Sequence, residues 1–289
     1  MNRQRKRILI QALITAISNG YIKGFTTGKI YTGGSKVLCS PGMNCYSCPG
    51  SVTACPIGSL QAVLGNKNYR LSLYVIGFMF IFGAVLGRGV CGFLCPFGFI
   101  QDLLYKIPFF KKIRKLPGET ILRKIKYVML SVLVVFLSYI ATDSLGKTSP
   151  YFCKYVCPVG TLEGGIPLVL LNSSLRTACD FLFEWKILIL IIIILGSIMV
   201  CRPFCRYLCP LGAIYSFFNK HSIYKMKVDI NRCNECGQCQ RVCEMDIPVY
   251  KNPNSMDCIR CGKCIDGCKN GCISGEFTVL THLNNKDKI

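Results

Sequence analysis

Three apolar runs stand out along a chain that is 51% hydrophobic: Leu71–Leu86, Tyr127–Thr142 and Ile187–Val200. Charge frames each of them: Arg70 and Arg88 the first, Lys126 and Asp143 the second, Lys186 and Arg202 the third. At 14–16 residues they fall short of the roughly 20 that span a bilayer unaided. Their unbroken apolar character, the charged flanks and Trp185 as an interface anchor favour spanning helices over buried core helices. A fourth run, Ile8–Ser18, follows Arg3, Arg5, Lys6 and Arg7. It reads either as a retained first helix or as a signal peptide with Ala16-Ile17-Ser18 at its cleavage site. The repeat described below needs a first helix, so retention is expected. The pattern predicts an α-helical integral membrane bundle of about four transmembrane helices, near 8–18, 71–86, 127–142 and 187–200, filling a membrane domain over 1–220.

After His221 the pattern changes to polar and cysteine-dense, predicting a small α+β domain over 228–277 and a polar tail over 278–289. Its cysteines follow one spacing twice: Cys233-x2-Cys236-x2-Cys239-x3-Cys243, then Cys258-x2-Cys261-x2-Cys264-x3-Cys268. This is the bacterial ferredoxin spacing, in which the fourth cysteine of each run ligates the other cluster. The first [4Fe–4S] cluster then takes Cys233, Cys236, Cys239 and Cys268, and the second takes Cys258, Cys261, Cys264 and Cys243. Zinc is the competing metal for cysteine runs. The proline usual after each fourth cysteine is replaced by Glu244 and Lys269.

A tetrapeptide recurs four times in the membrane domain: Cys55-Pro-Ile-Gly58, Cys95-Pro-Phe-Gly98, Cys157-Pro-Val-Gly160 and Cys209-Pro-Leu-Gly212. Three copies extend upstream to C-x3-C-P, through Cys91, Cys153 and Cys205, whereas Ser51 stands in that place before Cys55. The simplest account is a duplicated unit of helix, outer C-P-x-G, helix, inner C-P-x-G. Proline stops the preceding helix and exposes the thiolate, and glycine lets the backbone approach a cluster. The following helix would aim its N–H groups at an anionic group. Cys91, Cys95, Cys205 and Cys209 thus form a candidate inner-face cluster site. Cys153 and Cys157 join Cys55, with Cys45 or Cys48 as the missing thiolate, at a candidate outer-face site. The alternatives are inert buried thiols or, at the outer face, a disulfide. Arg88, Arg202 and Arg206 stand nearby, as charge partners of a cluster or as snorkelling side chains. Cys179, Cys201 and Cys272 fall outside these sets and read as buried small hydrophobes.

Composition narrows the chemistry. Twenty-one cysteines in 289 residues, placed beside apolar runs, favour metal ligands over a secreted disulfide scaffold. The formal charge of +21 is uneven: residues 1–224 carry +19 and 225–289 only +2. The excess sits where apolar runs end, as expected beside anionic headgroups rather than nucleic acid. The 101–126 loop holds eight basic residues, while 143–185 holds three against four acidic ones. Both termini and the 101–126 loop are therefore expected in the cytoplasm, with 19–69 and 143–185 outside the cell membrane. With only His221 and His282 a bis-histidine haem pair is not supported, and no G-x-G-x-x-G or P-loop pattern appears.

Arg88-Gly-Val-Cys91-Gly-Phe-Leu-Cys95-Pro-Phe-Gly98, Cys201-Arg-Pro-Phe-Cys205-Arg-Tyr-Leu-Cys209-Pro-Leu-Gly212 and the two ferredoxin runs together resemble the NapH-type membrane ferredoxins, a group that includes NosR and CcoG. The resemblance implies four membrane helices and electron transfer between a quinol or ferredoxin pool and an external partner. The first outer loop, Cys39-Ser-Pro-Gly-Met-Asn-Cys45-Tyr-Ser-Cys48-Pro, is richer in cysteine than the simpler members. The expected function is that of an electron-transfer subunit rather than a self-sufficient enzyme. Its expected partners are a cytoplasmic ferredoxin or reductase and an extracytoplasmic flavoprotein or reductase. A quinol dehydrogenase subunit and a redox-sensing or assembly protein without net flux are the alternatives.

Overall fold

The computed structural model describes residues 3–65, 73–109, 111–141, 149–177 and 179–277. The predicted tail 278–289 and parts of the runs at 71–86 and 127–142 lie outside them.

The helical part follows the order expected of the repeat. Arg3–Ser18 precedes Pro56–Leu64, Leu73–Leu86 precedes Pro96–Tyr105, and Phe181–Met199 precedes Pro210–Phe218. In the third unit Glu119–Val128 runs through a wider π segment, Met129–Phe136, into Leu137–Ile140. The apolar helix Pro158–Leu171 comes after it. Phe181–Met199, with mean hydropathy 2.4, is the one helix among the described residues long and apolar enough to cross a membrane by itself. It begins six residues before the apolar run, because Glu184, Trp185 and Lys186 continue the helix rather than end it.

Arg3–Ser18 and Glu119–Val128 bury polar side chains and expose apolar ones. Arg3–Ser18 buries Arg7, Gln11 and Ser18 while exposing Leu9, Leu13 and Ile17. Leu73–Leu86 buries Val75, Met79 and Gly83, spaced by four on one face, and exposes Phe80 and Ile81. Gly83 allows close approach: a Cβ there would lie 2.6 Å from the Phe218 ring.

Beyond Pro210–Phe218, β1 (Tyr224–Val228) pairs antiparallel with β2 (Ile273–Phe277), from Tyr224 opposite Phe277 to Val228 opposite Ile273. This two-stranded sheet brackets both cysteine runs. Each run carries one short helix, Gln238–Arg241 and Lys263–Asp266. The local backbone repeats as well. Glu235 and Gly237 in one run, and Arg260 and Gly262 in the other, have φ between +52° and +78°. The glycine after the second cysteine takes the left-handed turn that starts each short helix without a Cβ penalty.

Candidate functional site: four groups of cysteines

Each C-P-x-G proline is the first residue of a new helix and its cysteine is the N-cap. The Gly98 and Gly212 amides donate to Cys95 and Cys209 Sγ at 3.3 Å each. At Cys55 and Cys157 the equivalent amides face the sulfur without a closed hydrogen bond. The expectation that proline exposes the thiolate is corrected: all four cysteines are buried, because each new helix starts inside the bundle.

Cys91, Cys95, Cys205 and Cys209 are all buried and gather within electrostatic range of one another. The halves are cross-braced. Arg88 Nη2 donates to the Cys205 carbonyl at 2.9 Å, and Arg202 Nη1 donates to the Cys91 carbonyl. Gln101 Nε2 donates to Cys205 Sγ at 3.1 Å.

The arginines do not snorkel. Arg88, Arg202 and Arg206 are fully buried, each against a carboxylate from a distant segment. Asp102 holds Arg202 through both oxygens, at 2.7 and 2.6 Å, and reaches Arg7 at 3.2 Å. Burial alone would raise the Asp102 pKa, but Arg202 outweighs it and holds the carboxyl below its usual range. Glu119 accepts from Arg123, Arg206 and the Tyr207 hydroxyl.

Cys45, Cys55, Cys153 and Cys157 form the second group, with Cys55 and Cys157 buried and Cys45 and Cys153 partly so. Cys48 turns away, its thiol facing Asn19 Oδ1 at 3.6 Å. Ser51 is fully buried, donating to the Thr53 carbonyl and accepting from Asn44. With Cys39, the four cysteines line a cavity of about 580 Å³ that also touches Lys36, Tyr46 and Tyr74. Glu163 accepts from the Cys45 amide at 2.7 Å, and burial pushes its pKa up to about 7.

In the C-terminal part Cys243 lines a small cavity with Cys258, Cys261 and Cys264. Cys233, Cys236, Cys239 and Cys268 line another, together with Cys272. These are the crossed groupings that the spacing predicts. Cys272 is buried as expected, but its sulfur lies 3.3 Å from Cys268 Sγ. Cys201 is fully buried beside Glu244. Cys179 is exposed, which corrects its reading as a core residue: it follows the short helix Ser173–Thr177 at the surface.

The donor set suits iron–sulfur clusters. All 21 cysteines are free thiols. Among the described residues no three Cys, His, Asp or Glu side chains converge tightly enough for a single ion. Tetrahedral zinc at about 2.3 Å per bond draws its thiolates to roughly 3.8 Å from one another, whereas in a cluster each thiolate holds its own iron. Burial pushes the Cys55 and Cys258 thiols up to about 12, so a metal must displace their protons on binding.

Sequence reasoning missed the residues that join the two parts. Asn219 accepts from the Arg88 amide and donates to the Ser255 and Cys258 carbonyls, each at 2.8 Å. Asp257 faces Arg88, Arg123 and Lys126 at 3.3, 3.0 and 2.5 Å. Arg260 donates to the Leu86 and Asn219 carbonyls. Each partner pair is more than 30 residues apart, so no local pattern signals them.

A family model described as a 4Fe-4S binding domain matches residues 68–117, 127–166 and 184–231. Two uncharacterised proteins of Methanocaldococcus jannaschii are similar. MJ0749 is 32% identical over 70% of this chain and 69% of its own length. MJ0750 is 34% identical over 67% and 74%. The ferredoxin-type protein NapH of Escherichia coli is 24% identical over 81% of this chain and 76% of its own. No solved structure matches. Cysteine groups on a duplicated helical scaffold, with a 4Fe-4S domain matched over Cys91, Cys95, Cys153, Cys157, Cys205 and Cys209, define an iron–sulfur protein of the ferredoxin type. The chain belongs to the electron-transfer family that includes NapH, YccM, NirI and NosR.

Proposed function

We propose that the chain is a membrane-integral electron conduit. In this reading residues 228–277 are a cytoplasmic ferredoxin module holding two [4Fe–4S] clusters, on Cys233, Cys236, Cys239 and Cys268 and on Cys258, Cys261, Cys264 and Cys243. Cys91, Cys95, Cys205 and Cys209 are the inner-face ligands, and the cysteines around Cys55 and Cys157 are the outer-face site. The clusters, when bound, supply one-electron carriers; the protein supplies their spacing and their insulation from water.

The observation that carries this reading is a line of contacts that links three of the four cysteine groups. Ile259, between Cys258 and Cys261, sets its carbonyl against Gly92, between Cys91 and Cys95; a Cβ on Gly92 would lie 2.2 Å from that oxygen. On the other side of the same site, Gly42 packs on the Cys95 backbone and the Met43 amide faces the Cys95 sulfur. Cys45 follows two residues later, so its Cα lies within about 7 Å of Met43, at 3.3–3.6 Å per residue. The second run of the module therefore faces the membrane cysteines. The exposed Cys236 lies in the first run, where a soluble partner can approach.

Membrane integration is supported by the inverted helices. A helix that buries Arg7 and Gln11 while exposing leucines is unfavourable in water and favourable in lipid. The basic 101–126 loop supports a cytoplasmic module.

The test is vectorial. Proteoliposomes holding an acceptor inside, with dithionite outside, should exchange electrons through the protein. Absence of exchange in a preparation with full iron would sink the conduit. Iron near eight per chain, rather than roughly twelve to sixteen, would remove the membrane clusters. The cavity beside the outer cysteines is within the usual size of small-molecule sites. It favours a second reading in which a quinol exchanges electrons there.

A further inference from the structure

Every C-P-x-G unit carries a polar side chain six residues after its cysteine: Gln61, Gln101, Glu163 and Tyr215. The two glutamines do the same thing in different places. Gln101 accepts from the Phe204 amide at 3.2 Å and donates to Cys205 Sγ at 3.1 Å. Gln61 accepts from the Phe152 amide at 3.1 Å and donates to Cys153 Sγ at 3.3 Å. Each reaches from the first half of the repeat to the first cysteine of a C-x3-C-P in the second half. The backbone N–H in each pair demands the amide oxygen, so the NH2 group must face the sulfur. Both glutamines are buried, with no solvent to compete for that bond.

Glu163 and Tyr215 occupy the equivalent positions in the second half, and both hold the segment 41–45. The Tyr215 hydroxyl donates to the Pro41 carbonyl at 2.9 Å, and Glu163 accepts from the Cys45 amide at 2.7 Å. That segment delivers Cys45 to the space beside Cys157, where its sulfur would lie 3.7 Å from a Cβ on Gly160. Ser51, which stands where the repeat expects a cysteine, is committed to Thr53 and Asn44, and Cys48 faces Asn19.

We infer that the outer cysteines are a second four-thiolate cluster site built to the plan of the inner one. Cys45 is its fourth ligand, and Gln61, like Gln101 at the inner site, is the side-chain N–H donor that tunes the bound cluster. This rests on the reading above that the membrane cysteines hold clusters. A donor to a ligand sulfur stabilises the reduced, more anionic state, so it raises the reduction potential. The glutamines are positioning residues: they touch the ligands and not the iron.

The test uses full-length protein purified without oxygen, with iron and sulfide counts and EPR redox titration. Gln61→Met keeps length and removes the donor. It should leave the iron count unchanged and lower the midpoint of one membrane signal. The expected change is about tenfold in the reduction equilibrium, about 59 mV for one electron. Gln101→Met should do the same to a different signal. If Gln61→Met does not fold, Gln61→Leu serves, since it also lacks the donor and should shift the same signal downward. Cys45→Ala should lose one signal and about four irons, and Cys48→Ala should lose neither. The inference is overturned if the Gln61 variants shift no signal, or the one that Gln101→Met shifts. Loss of a cluster in Cys48→Ala but not in Cys45→Ala would also overturn it. Wild-type protein with only the module's iron would instead sink the underlying reading, a separate and recognisable failure.

Discussion

Asp102 offers the sharpest test of how the helical part is held together. Its two oxygens take Arg202 Nε and Nη2 at 2.7 and 2.6 Å, and Oδ2 also reaches Arg7 at 3.2 Å and Gln11 at 3.4 Å. Arg202 is fully buried and Arg7 is 4% exposed, so Asp102→Asn leaves two guanidinium groups without a counter-charge. Removing one partner of a buried pair costs about 3–5 kcal/mol, because the survivor keeps its desolvation penalty. At about 2–4 °C per kcal/mol for chains of 150–250 residues, the apparent melting temperature should fall by roughly 6–20 °C. The assay is thermal unfolding in mild detergent at one scan rate, with Asp229→Asn as control. Asp229 pairs with Arg232 at 3.4 Å, with side chains 45% and 72% exposed, and such pairs are worth about 0–1 kcal/mol. The pH dependence carries a sign. A carboxyl held below its usual range contributes fully above that range, and the contribution is lost as pH falls through its lowered value. Wild type and Asp102→Asn should therefore converge only in acid. A drop no larger than that of Asp229→Asn would refute the reasoning.

Burial, then the neighbouring Arg88, lower the Lys126 pKa from 10.5 to about 8 despite Asp257, because one carboxylate is shared among three cations. Between those two values the unfolded chain binds a proton that the native one lacks. Stability should rise with pH across that window, by up to about 3 kcal/mol, and Lys126→Met should flatten the rise in unfolding curves. Gly92→Ala puts a methyl group 2.2 Å from the Ile259 carbonyl, so the 255–262 loop must lift off. Limited proteolysis should cut that loop faster than in wild type, and unchanged cutting would refute the contact. Cys258→Ala should remove about four irons per chain, while Cys179→Ala, at an exposed thiol, should remove none.

The repeat and the ferredoxin spacing were legible because their chemistry is written in short covalent distances. Three thiols within seven residues, or a proline beside a cysteine, fix local geometry before any tertiary contact forms. The apolar runs gave the helices but not their ends: Phe181–Met199 starts through Glu184 and Lys186 because both are good helix formers and do not end a helix. The fourth outer thiol was not legible, since Cys45 and Cys48 differ only in which way a buried loop turns. The ion pairs were not legible either. Arg202 and Asp102 lie 100 positions apart, and Arg88 and Asp257 169 apart. The side chain six residues after each cysteine could have been found, because it is polar in all four copies of a helix that is otherwise largely apolar.

The buried arginines change what the basic charge of the helical part means. Four of them, Arg7, Arg88, Arg202 and Arg206, are nearly or wholly inaccessible, so that much of the charge is structural and not a headgroup-facing surface. Arg88 comes from the first half and braces the backbone of Cys205 in the second; Arg202 comes from the second and braces Cys91 in the first. Neither half alone satisfies its own arginine or positions its own cysteines. Arg88 is also tied to the Met256 carbonyl and to Asp257, immediately before Cys258. One guanidinium thus touches the backbone of an inner-site cysteine and the loop leading into the C-terminal part. Docking of that part and the bracing of Cys205 therefore share one side chain, which fixes the spacing between the cysteine groups, as the proposed conduit requires.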